Sequence, residues 1–184
     1  MTGQAHDRVL FQGKDFLLGA VAGTGLFDLQ QMGLRAFPAS TACWRGFQVT
    51  YAIEDGFLML DSLVATFPDP APLILGQAPH TLSSPHPCGR LQYHLHQPTP
   101  FTGRLRILHD LIRPLYVHGG FQEDWKFNEV HLLHIEHGRI LSSRDCSQDM
   151  AKVREMLREK KPGAVLTPQE HKVLQAYQAL QDLP

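Results

Sequence analysis

Large apolar side chains alternate with smaller or polar ones through Phe47-Gln48-Val49-Thr50-Tyr51-Ala52-Ile53. A two-residue period places Phe47, Val49, Tyr51 and Ile53 on one face of a strand, the face a core would cover. Asp55-Gly56 follows, a turn signal because glycine takes positive φ without steric cost. Phe57-Leu58-Met59-Leu60 then returns, and Leu63-Val64-Ala65 extends the apolar content, so residues 8–66 read as β structure with a hairpin at Asp55-Gly56.

The pattern breaks over 67–100, where eight of the 13 prolines fall, from Pro68 to Pro100. Each removes a backbone donor and fixes φ, which excludes long continuous strands over 67–89 and leaves Leu73-Ile74-Leu75 as a short edge piece. Strand patterning resumes at Leu91-Gln92-Tyr93-His94-Leu95-His96 and at Arg104-Leu105-Arg106-Ile107. Residues 129–143 form another expected hairpin, turning at His137-Gly138. There Ile135-Glu136-His137-Gly138 echoes Ile53-Glu54-Asp55-Gly56, with Trp125 and Trp44 upstream, and turn chemistry accounts for the echo better than duplication does.

Toward the C-terminus the period lengthens. Met150, Val153, Met156 and Leu157 recur at near-helical spacing, and Pro162-Gly163 ends that segment. Thr167-Pro168-Gln169-Glu170 is a capping box, followed by the stripe Val173, Leu174, Tyr177 and Leu180. Strands first and helices last predict an α+β fold: mostly antiparallel sheet over 8–144 with two C-terminal helices over 147–182. The 184 residues suit a single domain, 1–184.

Charge alters this picture in one respect. The formal net charge of -1 argues against a nucleic-acid binder, which would normally be basic. Yet no Lys or Arg lies between Gly46 and Gly89, where Glu54, Asp55, Asp61 and Asp69 are acidic, while Arg90, Arg104, Arg106 and Arg113 follow. An acidic patch would steer the protein onto a basic partner. The polar N-terminus lacks a signal-peptide layout, and no apolar run reaches the ~18 residues of a membrane helix. Three cysteines (Cys43, Cys88, Cys146) exclude an all-paired disulfide framework and show no zinc-ribbon spacing. A soluble, cytoplasmic protein without a membrane partner is expected.

The candidate chemistry is sparse. His94 and His96 form an HxH pair of the kind that β scaffolds present to a metal, and a remote His118 would complete a site. The carboxylate that cupins place after such a pair is missing from Gln97-Pro98-Thr99-Pro100, and His131, His134 and His137 do not share one face. Cys43-Trp44 faintly resembles the nucleophile region of papain-type proteases, but strand-like residues follow it, so a buried structural cysteine in a turn is the better reading. Gly23-Thr24-Gly25 lacks the rest of a nucleotide fingerprint, and no Gly-x-Ser-x-Gly elbow occurs. Glu123, Asp124 and Glu129 have no spacing that separates an acid/base pair from a solvated turn. In Leu115-Tyr116-Val117-His118-Gly119-Gly120-Phe121-Gln122, aromatics flank two glycines, which either cap a core or present anchors to a partner.

Residues 40–46, the Asp55-Gly56 hairpin and residues 116–121 together resemble small bacterial proteins of the toxin-immunity type. That resemblance implies a compact cytoplasmic binder of a cognate, basic toxin, occluding its active site with no cofactor and no reaction of its own. The interface expected is Glu54, Asp55 and Asp61 together with Tyr116, Phe121 and Trp125. The alternatives are a metal-dependent hydrolase using His94, His96 and His118, and a non-catalytic structural or regulatory subunit.

Overall fold

The computed structural model describes residues 4–118, 122–158 and 167–168. Nine strands and one helix follow in chain order: β1 (Arg8–Phe11), β2 (Lys14–Thr24), β3 (Phe47–Glu54), β4 (Phe57–Ala65), β5 (His80–His86), β6 (Gly89–Pro98), β7 (Thr102–Leu111), β8 (Phe127–Glu136), β9 (Arg139–Asp145) and α1 (Ser147–Arg158). The hairpins turn where glycine chemistry allows it. Asp55 and Gly56 both take positive φ, as do His137 and Gly138, the backbone of the tight turns that match strand twist.

Pairing runs β3-β1-β2-β7-β8-β9-β4, and β4 returns to β3, which closes a seven-stranded barrel. Two contacts make the closure. The short β1 lies parallel to β3, with Val9 opposite Tyr51, and the start of β4 meets β9 at Phe57 opposite Arg139. Backbone bonds from Leu58 N to Gly138 O (2.7 Å) and from Ile140 N to Gly56 O (2.8 Å) reinforce that second seam. Beyond Phe57 the same edge of β4 pairs with β6, so β5 and β6 leave the ring as an attached hairpin.

This architecture corrects the expected fold. The sheet closes on itself instead of lying under two C-terminal helices, and α1 is the one α-helix of length among the described residues. The second expected helix, after the capping box at Thr167, lies outside the described residues. Alternation along a strand reports which face is apolar and is silent about which edges meet.

Inside the barrel apolar side chains form one buried cluster. Val9, Phe16, Val49, Tyr51, Leu58, Leu63, Leu105, Ile107, Leu133 and Ile135 are all fully buried in one cluster. Barrel diameter grows with strand number, and about eight strands already give an interior that side chains can fill. Leu105, Ile107, Leu133 and Ile135 of β7 and β8 belong to that core. Leu108, Val130 and Leu132, on the other face, meet Met150 and Val153 of α1 in a second cluster, which Leu111 and Phe127 join at the far end of the strands.

Candidate binding cleft

A recess lies outside the barrel, between the β5–β6 hairpin and the segment that leaves β4. It encloses about 820 Å³ and is lined by Thr66, Phe67, Asp69, Ser84, His86 and Arg90 among others. That volume falls within the range of roughly 300–1,000 Å³ usual for ligand pockets. The hairpin's own pairing creates the space. Thr81 opposes Leu91 and His86 opposes Gly89, so residues 82–85 arch outward against the single residue Arg90. Pro85 in that arch, like the rest of the proline-rich segment, removes a ladder donor. β5 is the terminal strand of the sheet and is exposed or half-buried along its whole length.

One end of the cleft is fastened. Cys43, in the turn where Cys43 N donates to Ser40 O, forms a disulfide with Cys88 in the β5–β6 turn, with Cα atoms 5.2 Å apart. Both cysteines are buried. Ser40 Oγ donates to Pro87 O at 2.8 Å, and Thr66 Oγ1 donates to Cys88 O at 3.3 Å. Gly89 sits at φ +137°, and a Cβ there would lie 2.4 Å from Ala65 O, so no side chain fits beside the bridge. The Cys88 N–H donates to His86 Nδ1 at 3.2 Å, which requires that nitrogen to be unprotonated. Burial, with the Arg8 charge behind it, also holds the His86 pKa below its ordinary value. The cleft therefore presents a neutral imidazole, a guanidinium, a carboxylate and hydroxyls.

Asp7 fixes the far side of the 40–46 turn. Its carboxylate accepts from Val49 N at 2.7 Å and takes both terminal nitrogens of Arg45, a bidentate pair, while Arg45 lies 4.7 Å over the Phe47 ring. Neither this clamp nor the disulfide has a local sequence signature. Asp7 and Arg45 are 38 positions apart, and Cys43 and Cys88 are 45 apart.

The sequence-derived interface residues do not form one surface. Glu54 and Asp55 occupy the β3–β4 turn, beside the β8–β9 turn at the start of β7, and Asp61 lies along β4. Tyr116 and Trp125 sit in the segment that follows the end of β7. The ten residues of β7 span roughly 30 Å, so the acidic turn and the aromatics occupy opposite ends of the barrel. Phe121 lies outside the described residues. Tyr116 is exposed and meets His118 edge-on at 5.2 Å, whereas Trp125 is half-buried against the cluster under α1. The acidic turn also has a basic neighbour absent from its sequence block, since Arg139 faces Phe57 across the seam, and His96 Nε2 lies 3.7 Å from Glu54 Oε2.

Nor do the metal candidates meet. His94 stacks on His80 at 4.8 Å, and His96 takes positive φ at the β4–β6 bulge and turns toward Glu54. His118 lies at the other end of the barrel. No group of three or more His, Cys, Asp or Glu positioned to share a metal occurs among the described residues. The carboxylates weighed for acid/base work belong to ion pairs: Glu123 with Lys126, Glu129 with Lys14, and Asp124 with Arg106.

That last pair is buried beneath α1. Arg106 Nε and Asp124 Oδ2 stand 2.8 Å apart as an ion pair, and neither atom makes an aligned hydrogen bond. Burial raises the Asp124 pKa to about 6 against the opposing pull of Arg106. Arg154 of α1 donates to the carbonyls of Trp125 (2.9 Å) and Phe127 (2.7 Å), tying the helix over the pair. This is an internal strut, closed to ligands by the helix. No helix among the described residues is long and apolar enough to cross a membrane. Comparison with family models, characterised proteins and solved structures gives no match to this chain, so its functional reading rests on the cleft and on the sequence.

Proposed function

We propose that the protein is a non-catalytic binding protein of the toxin-immunity type that seats part of its partner in the cleft outside the barrel. The observation that carries this reading is the contrast between a barrel interior filled by side chains and an open recess of about 820 Å³ beside β5 and β6. With apolar side chains buried inside the barrel, the recess offers mixed apolar and polar contacts suited to a protein loop. The immunity type rests on the resemblance of residues 40–46, the Asp55-Gly56 hairpin and residues 116–121. The first of these segments lies against the cleft, through Cys43 and the bond from Ser40 to Pro87.

The seat of binding moves accordingly. Glu54 and Asp55 remain candidates for steering a basic partner by long-range attraction, and the cleft supplies the close contact. On location, the odd cysteine count favours the cytoplasm and the Cys43–Cys88 bond favours an oxidising compartment. The bond is the weightier observation, because it is a specific pairing with suitable Cα separation.

The test is capture of the toxin encoded beside this gene by the full chain. A stoichiometric complex, together with protection of cells producing that toxin, is expected. No complex and no protection would overturn the reading.

A further inference from the structure

We infer that oxidation of Cys43 and Cys88 is a maturation step that completes the cleft, and that the protein works in an oxidising compartment. This rests on the cleft being the binding surface. Each feature of the hairpin points the same way. β5 matches β6 at three register positions and buries none of its own side chains fully. β6 is held independently, because it pairs with β4 from Leu91 to Pro98. What remains to position the β5–β6 turn is the bridge to Cys43 and two hydroxyl–carbonyl bonds, from Ser40 and Thr66.

The other end of the bridge is anchored. Residues 40–46 belong to no strand or helix, but the Asp7–Arg45 pair and the backbone bonds from Ala5 N to Ala42 O and from Thr66 N to Gly46 O hold them, and they meet the β5–β6 turn through this bond and the Ser40 contact. Ala39 lines the cleft on one side of the bridge, and His86 and Gly89 line it on the other. The bond thus joins the cleft's two walls at one end. Both sulfurs are buried, so the finished bridge is shielded from thiol attack and behaves as a permanent part of the fold rather than a reversible switch.

The chemistry balances with a disulfide oxidant. One of the two cysteines attacks the oxidant as thiolate, and the other then displaces the reduced carrier. One S–S bond forms in the protein while one is broken in the oxidant, which leaves with two electrons and two protons as a dithiol. Cys146 is separate. It is buried on the α1 side of the barrel, where burial raises its pKa and suppresses the reactive thiolate.

Two measurements test the inference on the full chain. In cells blocked with an alkylating reagent before lysis, Cys43 and Cys88 should escape modification and Cys146 alone should react after denaturation. Hydrogen exchange should then show residues 80–90 opening roughly tenfold or more faster in reduced protein and in the Cys43→Ser/Cys88→Ser variant, with β7 and β8 unchanged. Three reactive thiols in cells would overturn the compartment. Unchanged exchange at 80–90, or loss of protection throughout the barrel, would overturn the role in building the cleft. Because the reduced wild type carries no substitution, it decides the matter even where the double variant does not fold. None of these readouts needs a partner, so failure of toxin capture by the oxidised chain tells against the binding reading alone.

Discussion

The β7–β8 pair and the β5–β6 pair are both antiparallel hairpins, and they are held in opposite ways. β7 and β8 match at eight register positions, with Leu105, Ile107, Leu133 and Ile135 buried on the barrel side and Leu108 and Val130 buried under α1. β5 and β6 match at three, and β5 faces water and the cleft. One hairpin is determined by packing on both faces. The other depends on a covalent tie and on its neighbour β4. A surface meant to receive a partner has to come from the second kind, since a strand covered on both faces has nothing left to offer.

The contrast can be broken first at the core. Phe101 is fully buried where β6 leads into β7, and Phe101→Ala should cost about 3–5 kcal/mol, measured by chemical denaturation. Next comes the tie. Removing the Cys43–Cys88 bridge, which spans 45 residues, should cost about 2–4 kcal/mol by freeing the unfolded chain, while Cys146→Ser, at a site outside the bridge, should leave the cleft's exchange behaviour unaltered.

A third effect separates the α1 side by pH. Asp124 holds its proton more tightly folded, with a pKa of about 6, than unfolded, with an ordinary value of 3.8. Between these values the folded state binds more protons, so the stability contributed by this group falls as pH rises from about 4 to about 6 and is level above that. The slope amounts to at most about 3 kcal/mol. Asp124→Asn should abolish it, and a stability profile with the same slope in both proteins would show that another group is responsible. The smallest effect belongs to β5. Ser83→Ala, on an exposed stretch of the cleft wall, should change stability by less than about 0.5 kcal/mol.

The same contrast explains what the sequence discloses. β3–β4 and β8–β9 are legible because their alternation is strong and Asp55-Gly56 and His137-Gly138 mark the turns, and α1 is legible through Met150 and Val153. β5, with the sequence His80-Thr81-Leu82-Ser83-Ser84-Pro85-His86, has neither alternation nor an apolar run, so it is invisible to periodicity. Barrel closure is hidden for a different reason. It depends on the parallel register of Val9 with Tyr51 and the single match of Phe57 with Arg139, and both are long-range facts. The acid-only stretch from Gly46 to Gly89 gains neighbours that the sequence does not show, since folding sets His96 beside Glu54 and Arg139 opposite Phe57. Sequence blocks of charge become surfaces only after the strands have been ordered.

The central claim is that binding occurs in the cleft outside a filled barrel. Calorimetric titration of the oxidised full chain with the toxin encoded beside its gene tests it most directly, comparing wild type with Ser84→Arg, a bulky charge set into the cleft wall. The account expects one-to-one binding by the wild type and an affinity loss of roughly thirtyfold or more in the variant, with the melting temperature unchanged. Equal binding by both proteins would contradict it.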